Sequence, residues 1–184
     1  MKKNKIQLII CFLLLSILIS TGLIFSKNSL NESTDESAIK DYNKLFKLNL
    51  FSDKKIYKST DKIQIWATLE YIGKNESIEI WHGNPYISFK ITDGKNFNIS
   101  DITLTTLSST ILEKNKIYKF DYSKSGGYSK DDINADFWKK FYQEKDLYLP
   151  KGEYKITVGG AFSINKDLEK SKSNLVQELN IIVE

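Results

Sequence analysis

The sequence predicts an all-β protein, an antiparallel β-sandwich of about seven to eight strands with one short helical insertion, preceded by an N-terminal transmembrane helix. Three observations predict it. Apolar residues recur with period two along most of the chain from Leu45 onward. Turn-forming clusters separate these runs at short intervals, with no helical pattern alternating between them. Ahead of them stands an uncharged run of 20 residues, IQLIICFLLLSILISTGLIF, over positions 6–25.

The leader comes first. Lys2, Lys3 and Lys5 precede the apolar run, which orients the N-terminus inside and the remainder outside a cell membrane as a single-pass protein. Ser20 and Gly22 supply small residues for a cleavage site, but Leu23, Ile24 and Phe25 continue the apolar run past it. This favours an uncleaved signal anchor over a signal peptide; cleavage would make the domain a secreted one. Cys11 follows Leu8, Ile9 and Ile10, lacks the small preceding residue that lipid attachment requires, and reads as one more apolar residue of the span. Residues 1–26 are therefore the anchor or signal peptide. Residues 27–44 are a polar linker carrying Glu32, Asp35, Glu36 and Asp41, with too little apolar surface to fold. Residues 45–184 are the domain.

Within the domain, Phe46, Leu48 and Leu50 form the first alternating run, and Ile63, Ile65, Ala67, Leu69 and Tyr71 the second. Ile78 and Ile80, then Ile87, Phe89 and Ile91, predict two strands separated by a turn at Gly83-Asn84-Pro85. Asp93-Gly94 predicts a tight hairpin of the primed type. A weaker, Thr-rich strand covers residues 102–107, and Tyr118, Phe120 and Tyr122 follow the turn at Glu113-Lys114-Asn115-Lys116. Tyr154, Ile156, Val158, Gly160 and Phe162 follow Pro150-Lys151-Gly152, and Leu175, Gln177, Leu179, Ile181 and Val183 share a face in the last strand. Strands of this number and length point to an immunoglobulin-like sandwich. A single cysteine excludes an internal disulfide, so apolar burial must hold the domain together.

One segment, 124–146, breaks the period-two pattern. Ile133, Phe137 and Phe141 are spaced four apart with Trp138 and Tyr142 beside them, after Asp131 and Asp132 and around Lys139 and Lys140. That is the apolar face of a short amphipathic helix with charges placed as the helix dipole prefers. The size of the stripe favours a cap over one end of the sandwich. As a contact surface instead, Phe137, Trp138, Phe141 and Tyr142, together with Tyr86, form the candidate binding surface.

Composition narrows the chemistry. All 27 basic residues are lysine, and the domain holds 21 of them against 19 Asp and Glu, with no polybasic stripe. Base and phosphate recognition favours arginine, so nucleic acid is not an expected partner. His82, in WHGNPY, is the lone histidine, too little for a metal site. A hydrolase using His82 is the remote alternative, without a G-x-S-x-G elbow to support it. Asp131, Asp132 and Asp136 do not fit a calcium loop. No catalytic residue, metal or cofactor is expected.

The run Asn75-Glu76-Ser77 into IEIWHGNPYISFKITDGKNF, and later Leu149-Pro150-Lys151-Gly152-Glu153-Tyr154-Lys155-Ile156, resembles the turn chemistry of small bacterial immunoglobulin-like domains. The group named for this resemblance is the BsuPI type, intracellular proteinase inhibitors, with related membrane- or lipid-anchored proteins of low-GC Gram-positive bacteria. The resemblance spans roughly residues 45–183. It implies the immunoglobulin-like fold and, as an alternative function, protease inhibition through an exposed loop at Tyr86 or at residues 126–129. The exported leader and the longer insertion set this chain apart from that group. The expected function is a non-enzymatic, membrane-tethered, extracytoplasmic binding or envelope-structural module. Its expected contacts are the membrane, through the N-terminal helix, and a protein or cell-envelope partner.

Overall fold

A computed structural model describes residues 42–167 and 172–184. The anticipated span at 6–25, Cys11 and the linker up to residue 41 lie outside the described residues. Among the described residues no helix is long and apolar enough to cross a membrane. The described chain is all-β, with nine strands and one short helix.

Strand β1 (Phe46–Ser52) pairs antiparallel with β3 (Ile65–Tyr71), which pairs on its other side with β7 (Ile117–Asp121). The second sheet runs β2 (Ile56–Tyr57), β9 (Leu175–Val183), β8 (Gly152–Ser163), β4 (Ser77–Thr92). The free side of β4 is shared by β5 (Asn98–Ser100) and β6 (Leu104–Glu113). The chain thus changes sheet between β1 and β2. There Tyr57 is buried, its hydroxyl donates to Asp53 Oδ1 at 2.7 Å, and the same oxygen accepts the Gln64 N–H at 2.9 Å. The β2–β9 pair is parallel, an exception to the all-antiparallel expectation.

The two sheets enclose one core. Period two is cleanest in the second alternating run, where Ile63, Ile65, Ala67, Leu69 and Tyr71 are all buried. Phe46 meets Phe162 edge-on at 4.9 Å across the sheets, and Tyr86 meets Phe120 at 5.3 Å.

Four local expectations need correction. The Gly83-Asn84-Pro85 turn is not a turn: residues 77–92 form one strand, with a cis Asn84-Pro85 bond inside an irregularity between His82 and Ile87. Inward positions are even-numbered before it (Ile80, His82) and odd-numbered after it (Ile87, Phe89, Ile91), so a parity change has to be absorbed there. Gly83 is demanded by the same feature, because a Cβ on it would collide with the Leu104 carbonyl of β6. The Asp93-Gly94 hairpin has Gly94 at φ +72° but spans a five-residue loop, in which Asp93 Oδ1 accepts the N–H groups of Lys95 and Phe97. The Thr-rich strand occupies 104–113 rather than 102–107.

The fourth correction is the phase of the helix. Helix α1 (Ala135–Gln143) begins after Ile133, which is 97% exposed, and buries Phe141 while Phe137 keeps 38% of its surface in water. The inward face is Trp138, Phe141 and Tyr142, with Phe137 on its rim.

Candidate functional site

The structure separates the sequence-selected residues into two places. Phe141, Trp138 and Phe137 gather around Phe97 of the β4–β5 loop, with ring centroids 5.6, 5.5 and 6.4 Å away. Tyr154 closes on the same ring at 5.5 Å, so the helix covers the end of the sandwich where β4 stops and β8 starts. Tyr142 packs edge-on against Phe141, its hydroxyl held above its usual acidity range by burial.

Tyr86 lies elsewhere, in the middle of β4, half-buried against His82 at 4.3 Å, Phe120 and Phe162. Burial, with the nearby Tyr118 hydroxyl, holds its own hydroxyl neutral to higher pH. His82 is 5% exposed and both ring nitrogens are engaged. The Gly83 carbonyl, 2.7 Å from Nδ1, can only accept, so Nδ1 carries a proton. In the neutral ring Nε2 then accepts from the Thr110 hydroxyl at 2.8 Å. His82 is thereby a fastener between β4 and β6.

An open groove of about 710 Å³ lies where β3 begins and β7 ends. Its walls are held by main-chain bonds: Ile63 N–H to the Leu147 carbonyl and Tyr122 N–H to the Ile65 carbonyl, both 2.9 Å. Trp66 faces it from β3, an aromatic on the polar side of that strand, stacked on Phe51 at 5.5 Å. Lys119 sits 5.4 Å over the Trp66 ring and pairs with Asp121 at 2.6 Å, and Lys62 pairs with Asp146 at 2.7 Å. Lys124 donates to the Phe141 carbonyl at 2.5 Å and lies 4.6 Å over the Phe141 ring. Burial pulls its ammonium below the usual lysine range, against the opposing influence of Glu144 and Asp146. Lys145 completes a lining of four lysines and two aspartates. Beyond Lys124 a second hollow of about 380 Å³ is lined by Phe137, Lys140, Phe141 and Tyr148, which makes Lys124 the partition between groove and helix.

Sequence reading did not single out this groove. Its charged residues are spread from position 62 to 146, and only Trp66, an indole where alternation calls for a polar residue, marked it. Among the described residues no group of His, Cys, Asp and Glu is arranged to hold a metal ion.

No family model matches the chain, and no curated protein matches it. Among solved structures it is similar to a β-glucosidase from Erythrobacter marinus, at 15% identity and a TM-score of 0.41, over 76% of this chain and 15% of that one. It is similar to Spo0M, a sporulation control protein from Bacillus subtilis, at 11% identity and a TM-score of 0.39, over 76% of this chain and 49% of that one. A β-glucosidase from Listeria innocua follows at 14% identity and 0.37, over 75% and 16%. This chain spans less than half the length of each, and likenesses this distant assign neither activity nor ligand.

Proposed function

We propose that this chain is a non-enzymatic binding module of immunoglobulin-like topology, held on the outer face of a membrane by residues 6–25. The strand order supports the topology. β1 and β2 divide the first strand between the two sheets, β3 pairs with β7 in one sheet, and β8 lies between β9 and β4 in the other. The uncharged run behind three lysines supports the tether and its orientation.

The observation that carries the binding role is the groove beside Trp66. It is open, its walls are tied together by main-chain bonds, and it combines a half-buried indole with an excess of lysine. Such a lining suits a ligand that offers an apolar or sugar face to Trp66 and negative charge to Lys62, Lys119 and Lys145. An acidic segment of a protein or of a cell-envelope polymer has that chemistry.

The test is photo-crosslinking in intact cells from a reactive residue placed at Lys145 on the groove rim. Adducts that vanish with Trp66→Ala and with Lys119→Glu support the reading. Adducts unchanged by both substitutions overturn it. Protease inhibition, the alternative implied by resemblance, loses Tyr86 as a contact residue because that ring is packed in the sandwich, whereas residues 126–129 remain exposed. Inhibition of a bacterial serine protease that is lost on shortening 126–129 would establish it instead.

A further inference from the structure

We infer that β6 is a self-association edge, along which two copies of this chain pair antiparallel and join their larger sheets. Among the described residues β6 pairs only with β4, so its other side presents main-chain groups that no described strand takes up. Residues 102–112 carry no charge, in a chain that is 27% charged. The other edges among the described residues are guarded or short: β1 carries Lys47, β7 carries Lys119 and Asp121, the part of β9 that β2 leaves uncovered carries Glu178, and β2 and β5 have two and three residues. Leu107 and Ile111 on β6 are 44% and 64% exposed.

The hydrogen-bond phase fixes which residues face a partner. Lys114 N–H bonds the Glu76 carbonyl at 2.9 Å, extending the β6–β4 ladder by one pair. Even-numbered β6 residues therefore turn their main-chain groups toward β4, and odd-numbered ones turn them outward. Glu113 agrees with this, because its N–H is taken by the Tyr118 hydroxyl at 2.9 Å. Residues 107, 109 and 111 are left with free outward groups. A two-fold axis at Ser109 pairs Ser109 with itself and Leu107 with Ile111 twice. In that register every outward main-chain group of the three residues is bonded, and each exposed aliphatic side chain meets another.

A second copy is the occupant that fits. The chain has a formal charge of +4, so two copies repel in general, and β6 is the long edge where neither brings a charge. Edge pairing also leaves the Trp66 groove open, since that groove is built on β3 and β7 of the other sheet.

The full chain in detergent, carrying Cys11→Ser so that an introduced thiol is alone, provides the test. A hydrogen-bonded antiparallel pair sets Cα atoms about 5.5 Å apart, within disulfide reach. Ser109→Cys should therefore link two chains under mild oxidation. Thr105→Cys, which in this register lies about 27 Å from its own copy at roughly 3.4 Å per residue, should not. Adding Leu107→Lys or Ile111→Lys to Ser109→Cys should suppress the linked dimer several-fold without loss of the β-sheet circular dichroism signal. Two results overturn the proposal: equal linkage at 105 and 109, or no linkage at 109 in folded protein. If one lysine variant fails to fold, the other lysine variant and the 105–109 comparison decide the matter.

Discussion

Phe141 reaches the core from a helix, whereas its neighbour one turn earlier, Phe137, keeps a side in water. Phe141→Ala should cost about 3–5 kcal/mol in chemical denaturation, as an emptied aromatic core site does. Phe137→Ala should cost under about 1.5 kcal/mol, because much of its surface is solvated already. Equal losses for the two would mean that the helix is seated differently. Glycines give a second contrast. Gly83→Ala drives a Cβ into the Leu104 carbonyl, a main-chain atom fixed by its own strand, and should destabilise by about 1–3 kcal/mol. Gly127→Ala meets open space and should stay within about 0.5 kcal/mol of the parent. Thermal melts of the two variants compare these positions directly.

Strands were legible where one face is fully buried, and poorly legible where it is not. The Ile63–Tyr71 alternation identifies β3 because every inward residue is in the core. β2 and β5 escape because two or three residues cannot show a period. β6 is blurred because most of its side chains are exposed whatever their parity. In β4 the parity change around Gly83-Asn84-Pro85 imitates a turn, since Gly, Asn and Pro are turn residues and a displaced register looks like two strands. The spacing of Ile133, Phe137 and Phe141 is correct for a helix, but the helix starts at Ala135, so the buried face lies one residue over. Of the groove, the sequence holds the residues but not their meeting, which depends on long-range bonds such as Ile63 to Leu147. The join of β4 to β6 can be tested on its own. Thr110→Val removes the hydroxyl bonded to His82 Nε2 and leaves a buried nitrogen unpaired, which should cost about 1–3 kcal/mol. An unchanged denaturation midpoint would show that His82 is not fastened through Thr110.

At the scale of the whole molecule, tyrosine hydroxyls shielded from water stand at three separate joints of the fold. Tyr57 bonds Asp53 where the chain changes sheets, Tyr154 bonds the Pro150 carbonyl at the start of β8, and Tyr122 lies beside the groove at the end of β7. Burial pushes the Tyr57 hydroxyl up to about 12, with the Asp53 carboxylate adding to it, and burial with Asp93 does the same for Tyr154. Burial raises Tyr122 as well, aided by Asp101. In each case the folded protein holds its proton more tightly than the unfolded chain, whose tyrosines titrate near 10.0. The stability tied to these groups is therefore complete below about pH 10 and is lost as pH rises toward about 12. Each fully shifted hydroxyl contributes a slope of at most about 1.4 kcal/mol per pH unit in that window, less where its outer edge touches water. Urea midpoints should be level from neutral pH to about 10 and then fall steeply. Tyr57→Phe should lower the midpoint at neutral pH, by removing the bond to Asp53, and make the alkaline fall shallower, by removing one titrating group. A fall of unchanged steepness in Tyr57→Phe would show that Tyr57 is not among the groups that set the alkaline limit of the fold.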